Sequence, residues 1–115
     1  CASLRAAGVP VAGSSDAPYA SPDPWLGIAA AIDRRSAAGR VLGAAERLAP
    51  AEALSLYLDA PDAPGRRPRT VTVGAPADLC LLASPLRDVL ASPGRDQVAA
   101  TLVAGDVIHL AARLG

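Results

Sequence analysis

At 115 residues the chain is the size of one modest domain, and its 51% hydrophobic content excludes a disordered tail. Its 11 Lys plus Arg balance 11 Asp plus Glu, so net charge supplies no attraction to nucleic acid or an anionic membrane. No apolar run reaches the roughly 18 residues a membrane helix needs, and no signal-peptide pattern precedes the first polar segment.

Residues 1–8 read as the last turns of a helix stopped by Gly8. The chain opens inside this helical pattern without Met, so the expectation is a segment of a longer polypeptide. Val9-Pro-Val-Ala12 then reads as a short strand, with Pro10 tolerated at its start, leading into the polar cluster Gly13-Ser-Ser-Asp16. A helix, a glycine stop, a β-branched run and a polar cluster together mark an α-to-β step of a parallel α/β fold.

Ala17–Pro24 holds Pro18, Pro22 and Pro24 and reads as a loop. Asp23-Pro24 opens a helix, the carboxylate as N-cap and proline at the first helical position. Trp25, Ile28, Ala29 and Ile32 form its apolar stripe, and Gly39 is expected to end it. A second helix is predicted from Pro50 to Leu58, burying Ala53, Leu54, Tyr57 and Leu58. The Pro- and charge-rich stretch 59–68 reads as a linker.

Short β runs follow at Thr70–Val73, Leu79–Leu82, Val98–Val103 and Val107–Leu110, the last two joined by the turn Ala104-Gly105-Asp106. Cys80 is expected as a small buried hydrophobe. Two widely separated cysteines give no disulfide framework or metal spacing, which fits a reducing, cytoplasmic compartment. The chain has no Phe, no Met and one Trp. A core of Ala, Val and Leu buries little area at roughly 25 cal/mol per Å², so these segments are expected to pack against something larger.

Val9-Pro-Val-Ala-Gly-Ser-Ser-Asp-Ala-Pro18 followed by Asp23-Pro-Trp-Leu-Gly-Ile28 resembles the region of the eighth barrel strand in amidohydrolase family 3. That branch of the amidohydrolase superfamily includes N-substituted formamide deformylases. Glu46-Arg-Leu48, Pro50-Ala-Glu-Ala-Leu54 and Tyr57 are similar to the segment that follows. Gly74-Ala-Pro-Ala-Asp-Leu79 and Thr101-Leu-Val-Ala-Gly-Asp-Val107 are similar to the family's closing β segments. Order and spacing agree over nearly the whole chain. Two departures stand out: Leu58-Asp-Ala-Pro61 breaks the family's alanine-rich helix end, and Ala49 replaces a frequent Ser N-cap.

The resemblance implies an α/β fold in two parts. Residues 1–64 would be the last strand and helices of a metal-dependent hydrolase TIM barrel. Residues 65–115 would supply strands to a small composite β-sandwich domain. It further implies hydrolysis of a C–N bond in an amide, formamide or cyclic amide by a metal-activated water. Asp16, just past a strand tip as barrel catalytic residues are, would be the metal-site carboxylate and proton shuttle. Ser15 and Tyr19 would contact a small amide-type substrate, while Ser14 and Ser15 brace the turn. The metal would be a divalent cation, zinc above others, in a site this chain leaves incomplete, so the 115-residue segment alone is expected to be inactive.

Other readings are weighed beside it. As a bland alternative, Asp16 is an Asx-turn or capping carboxylate. The chain as a whole could instead be a truncated, non-catalytic piece that self-associates or binds a partner, such as the remainder of its parent chain. A serine hydrolase using Ser14 or Ser15 lacks the Gly-x-Ser-x-Gly elbow. His109 reads as a surface residue, Trp25 as core, and Asp78 as a residue that caps or orients a turn.

Overall fold

The computed structural model describes residues 1–112 and divides the chain into two compact units, Cys1–Arg69 and Thr70–Gly115. In the first, helix α1 (Ala2–Ala6) stops as its sequence predicts. Gly8 takes φ +74°, its N–H bonds the Arg5 carbonyl at 2.9 Å, and the Val9 N–H bonds the Leu4 carbonyl at 3.0 Å. This pair of bonds satisfies carbonyls that the last helical turn leaves open.

Residues 9–12 pair with no strand, so the expected barrel strand is not formed among the described residues. A strand exists only through its neighbours. Here Pro10 has no N–H to donate, and two loops take the place of a ladder. The Gly13 N–H donates to the Leu56 carbonyl at 2.8 Å. Gly65, at φ +70°, closes on the same segment so tightly that a Cβ there would lie 2.5 Å from the Val11 nitrogen.

Helix α2 (Pro24–Asp33) starts as expected, with the Asp23 carboxylate accepting the Trp25 N–H at 2.9 Å. It ends six residues before Gly39. Arg34 adopts φ 52°, ψ 43° and returns its N–H to the Ala30 carbonyl at 2.9 Å. Gly39, at φ +77°, instead serves a small hairpin in which Arg35 bridges Val41. Trp25, Ile28 and Ala31 are the buried residues of α2, with Ala29 and Ile32 only half-buried.

Helix α3 (Pro50–Ser55) packs on α2 and is shorter than the predicted Pro50–Leu58. Because it stops at Ser55, the inward positions become Ala53 and Leu56, while Leu54 and Tyr57 are half-buried and Leu58 is exposed. With Leu48 and Ala60, these residues complete the buried apolar set of this unit.

Residues 59–68 are not an open linker. Asp59 bridges Pro68, the Asp59 carboxylate accepts the Gly65 N–H at 2.7 Å, and the Ala60 N–H bonds the Arg67 carbonyl at 2.8 Å. Ion pairing between Arg67 and Asp62 holds that carboxyl below the usual carboxylate range.

The second unit is built on a three-stranded antiparallel sheet of order β1 (Leu79–Leu82), β2 (Val98–Val103), β3 (Asp106–Leu110). β1 and β2 coincide with the predicted runs, and β3 starts one residue before its own, at Asp106. The hairpin turn is the two residues Ala104 and Gly105, at φ 51° and 90°, with Asp106 already paired to Val103. Positive φ at both central positions matches the right-handed twist of the flanking strands.

Thr70–Val73, expected as a strand, forms none, and Val71 and Val73 are exposed. A short helix, α4 (Leu86–Ala91), was not anticipated; it contributes the buried Val89 and Leu90, which with Ala99 and Ala100 of β2 are the buried apolar residues among those described in this unit. Cys80 is exposed rather than buried, because the described residues leave β1 uncovered, although partial desolvation still pushes the thiol pKa up. The architecture is thus mixed α and β with a small antiparallel sheet.

Candidate functional site

The chemistry-bearing residues of the first unit gather on the loop between residues 9–12 and α2. Its polar turn is braced by the two serines. The Ser14 hydroxyl accepts the Asp16 N–H at 3.4 Å, and the Ser15 hydroxyl accepts the Ala17 N–H at 3.3 Å. Hydroxyls reaching a backbone N–H two residues ahead replace a backbone turn bond in this way. The Asp16 carbonyl then accepts the Tyr19 N–H at 3.0 Å, across a cis Ala17–Pro18 peptide.

Asp16 itself has φ 55°, in the left-handed region. Asp and Asn visit that region more readily than other side chains because their short polar groups bond locally. Asp16 is exposed, and Tyr19 extends into solvent at 92% exposure. Ser15 is half-buried.

Beside this turn lies a cavity of about 230 Å³, lined by Ser14, Ser15, Ser21, Asp23, Gly27 and Tyr57 among others. Ser15 of the expected substrate contacts therefore faces a cavity, while Asp16 and Tyr19 are not among its lining residues. Asp23 is already engaged as the N-cap of α2. A larger concavity of about 450 Å³ runs along α1 and residues 8–11. It includes Arg5 and Glu52 but none of the loop's serines or Asp16, and Glu52 is committed to the Ala49 N–H at 3.0 Å. The smaller cavity is the one beside the chemistry.

Tyr57 is the site residue that sequence reasoning assigned only to a helix face. Burial pushes its phenol pKa up. Gly27 carried the available signal, because a glycine inside an apolar helical stripe costs about 1 kcal/mol against alanine and asks for a close approach. His109 is placed on β3 of the second unit, exposed and opposite Thr101. Among the described residues no three His, Cys, Asp or Glu side chains converge to hold a metal ion.

The model of the amidohydrolase family matches residues 1–109, spanning both units. The chain belongs to the amidohydrolase family. Neither the curated proteins nor the solved structures contain a match. Membership makes this a segment of hydrolase type, from a family that generally works with divalent metals. No described helix is long and apolar enough to cross a membrane.

Asp16 alone does not fit a catalytic zinc, which typically takes three protein ligands and keeps one position open. Any metal would need further ligands from outside the described residues.

Proposed function

We propose that this chain is the C-terminal part of an amidohydrolase that cleaves C–N bonds, of the N-substituted formamide deformylase type, with Asp16 as its contribution to the catalytic centre. The observation that carries this reading is the family match over residues 1–109, with the braced Gly13-Ser-Ser-Asp16 turn inside it. A divalent metal, zinc first among the candidates, would be held by Asp16 together with ligands from the rest of the parent protein, and would supply the acidity that makes water a nucleophile at neutral pH. The step assigned to this chain is the proton's. The Asp16 carboxylate takes a proton from the attacking water as its oxygen bonds the carbonyl carbon. It then returns that proton to the nitrogen as the C–N bond breaks, releasing acid and amine.

Ser15 and Tyr19 are proposed as substrate contacts: Ser15 at the cavity wall, Tyr19 as an exposed ring on the same loop. The compartment proposed is the cytoplasm, in keeping with two free thiols. The test is Asp16→Asn in the intact parent protein, assayed on N-formyl and simple amide substrates. Turnover should vanish while the unfolding temperature is unchanged, because an amide cannot accept the water's proton. Near-normal turnover would remove Asp16 from the mechanism.

A second reading concerns the chain in isolation. All five residues of β3 are exposed, including Val107, Ile108 and Leu110. An edge strand with apolar side chains in water recruits another strand. The proposal is that the rest of the parent chain covers it, and that the isolated segment self-associates instead. Sedimentation of the 115-residue chain should show oligomers that Ile108→Lys disperses; a monomer at micromolar concentration argues against it.

A further inference from the structure

The loop that carries Asp16 is not positioned by its own hydrogen bonds alone, since the two serine bonds are long, at 3.3 and 3.4 Å. The side chain of Tyr57, two residues beyond the end of α3, reaches it. A Cβ placed on Gly13 would lie 2.5 Å from Tyr57 Cζ, 2.6 Å from Cε2 and 2.9 Å from Cε1. The ring edge therefore rests on the Gly13 backbone, three residues before Asp16. On its other side the same ring tip meets α2, because a Cβ on Gly27 would collide with the Tyr57 hydroxyl oxygen. Both glycines have ordinary φ values, so neither is needed for backbone freedom. What each provides is room. The neighbouring Leu56 carbonyl accepts the Gly13 N–H at 2.8 Å, fixing the loop to the same stretch of chain from below.

We propose that Tyr57 is a positioning residue for Asp16, its ring wedged between Gly13 and Gly27 so that α2, α3 and the Gly13–Asp16 turn hold one geometry. The proposal rests on the catalytic assignment of Asp16 made above. It explains why a helix otherwise rich in alanine carries glycine at position 27, where alanine favours helix formation. Catalytic groups tolerate little misplacement, about 1 Å costing on the order of 100-fold in rate, so a wedge of this kind acts on turnover rather than on substrate affinity.

Two measurements test it. In the 115-residue chain, Gly27→Ala should lower the unfolding temperature followed by Trp25 fluorescence, although alanine is the better helix former. In a Tyr57→Ala background the same change should raise it. Should Gly27→Ala stabilise the chain with Tyr57 in place, the wedge does not exist.

In the intact parent, Tyr57→Ala and Gly13→Ala should each lower kcat by about 100-fold with KM nearly unchanged. Tyr57→Phe, which keeps the ring on Gly13 but loses the hydroxyl that meets Gly27, should lose less kcat than Tyr57→Ala, and the Tyr57→Ala, Gly13→Ala double variant should be no slower than either single one. Full kcat in Tyr57→Ala, alongside an inactive Asp16→Asn, would overturn the positioning role and leave the catalytic assignment standing. An active Asp16→Asn would instead remove that assignment.

Discussion

The Asp78 carboxylate accepts the backbone N–H of Ala104 at 2.9 Å, joining the entry to β1 with the turn between β2 and β3. The adjoining Gly105 N–H bonds the Ala77 carbonyl at 3.1 Å, so the Ala77–Asp78 segment caps both turn residues. This is the turn-orienting work expected of Asp78 from sequence. Ala104 meanwhile holds φ 51°, where a Cβ meets the following carbonyl at a cost of about 1–2 kcal/mol.

Two changes follow in opposite directions. Ala104→Asn places the residue that two-residue hairpins prefer before glycine, and should stabilise the hairpin by roughly 0.5–1 kcal/mol. Asp78→Ala should cost about 1 kcal/mol, the usual worth of one such bond at an exposed site. Hydrogen exchange of the β2 and β3 amides reads both: slower in Ala104→Asn, faster in Asp78→Ala. Equal protection in all three chains would show that the cap contributes nothing.

The N-terminus of α3 is capped from one side only. Glu52 accepts the Ala49 N–H at 3.0 Å, but Ala49 has no side-chain oxygen to return the favour, although its φ −62°, ψ 150° is the extended geometry of an N-cap. Ala49→Ser should complete the reciprocal pair and stabilise the first unit by about 1 kcal/mol. Urea unfolding followed through Trp25 should show a higher midpoint at unchanged slope. A midpoint equal to wild type would mean the helix end is limited by something other than its cap.

What the sequence made legible is what local chemistry decides. The Gly8 stop, the Asp23 N-cap and the β2–β3 hairpin each depend on a few adjacent residues, and each stands where it was expected. The misses are long-range. Residues 9–12 and 70–73 have strand composition, but strand identity needs a partner, and composition cannot supply one. Helix α2 stops at Asp33 because Arg34 turns left-handed and hydrogen-bonds Leu42 through both its carbonyl and its guanidinium, a tie between residues eight apart. Helix α4 lacks a side-chain cap and opens after Pro85, so nothing local announced it. At the site, Asp16 stood out through family resemblance and through its place just past a predicted strand. The Tyr57 contacts with Gly13 and Gly27 span 44 and 30 residues, beyond the reach of any periodicity.

The positive φ of Asp16 makes its substitutions separable by backbone cost. At φ 55° an Asn carries the same local hydrogen-bonding ability as Asp, whereas Ala pays the steric penalty of a Cβ in the left-handed region without it. The braced turn, with the Asp16 N–H on the Ser14 hydroxyl and its carbonyl receiving the Tyr19 N–H, prevents the residue from relaxing to a negative φ. Asp16→Asn should therefore unfold within about 0.5 kcal/mol of wild type, Asp16→Gly no lower, and Asp16→Ala about 1 kcal/mol lower. Thermal unfolding of the three variants gives the order directly. This ranking matters for catalysis, since an intact parent that Asp16→Asn inactivates without loss of stability has lost the chemistry of the carboxylate rather than its fold. If Asp16→Ala proves as stable as Asp16→Asn, the turn does not hold the left-handed geometry, and alanine serves equally well as the catalytic control.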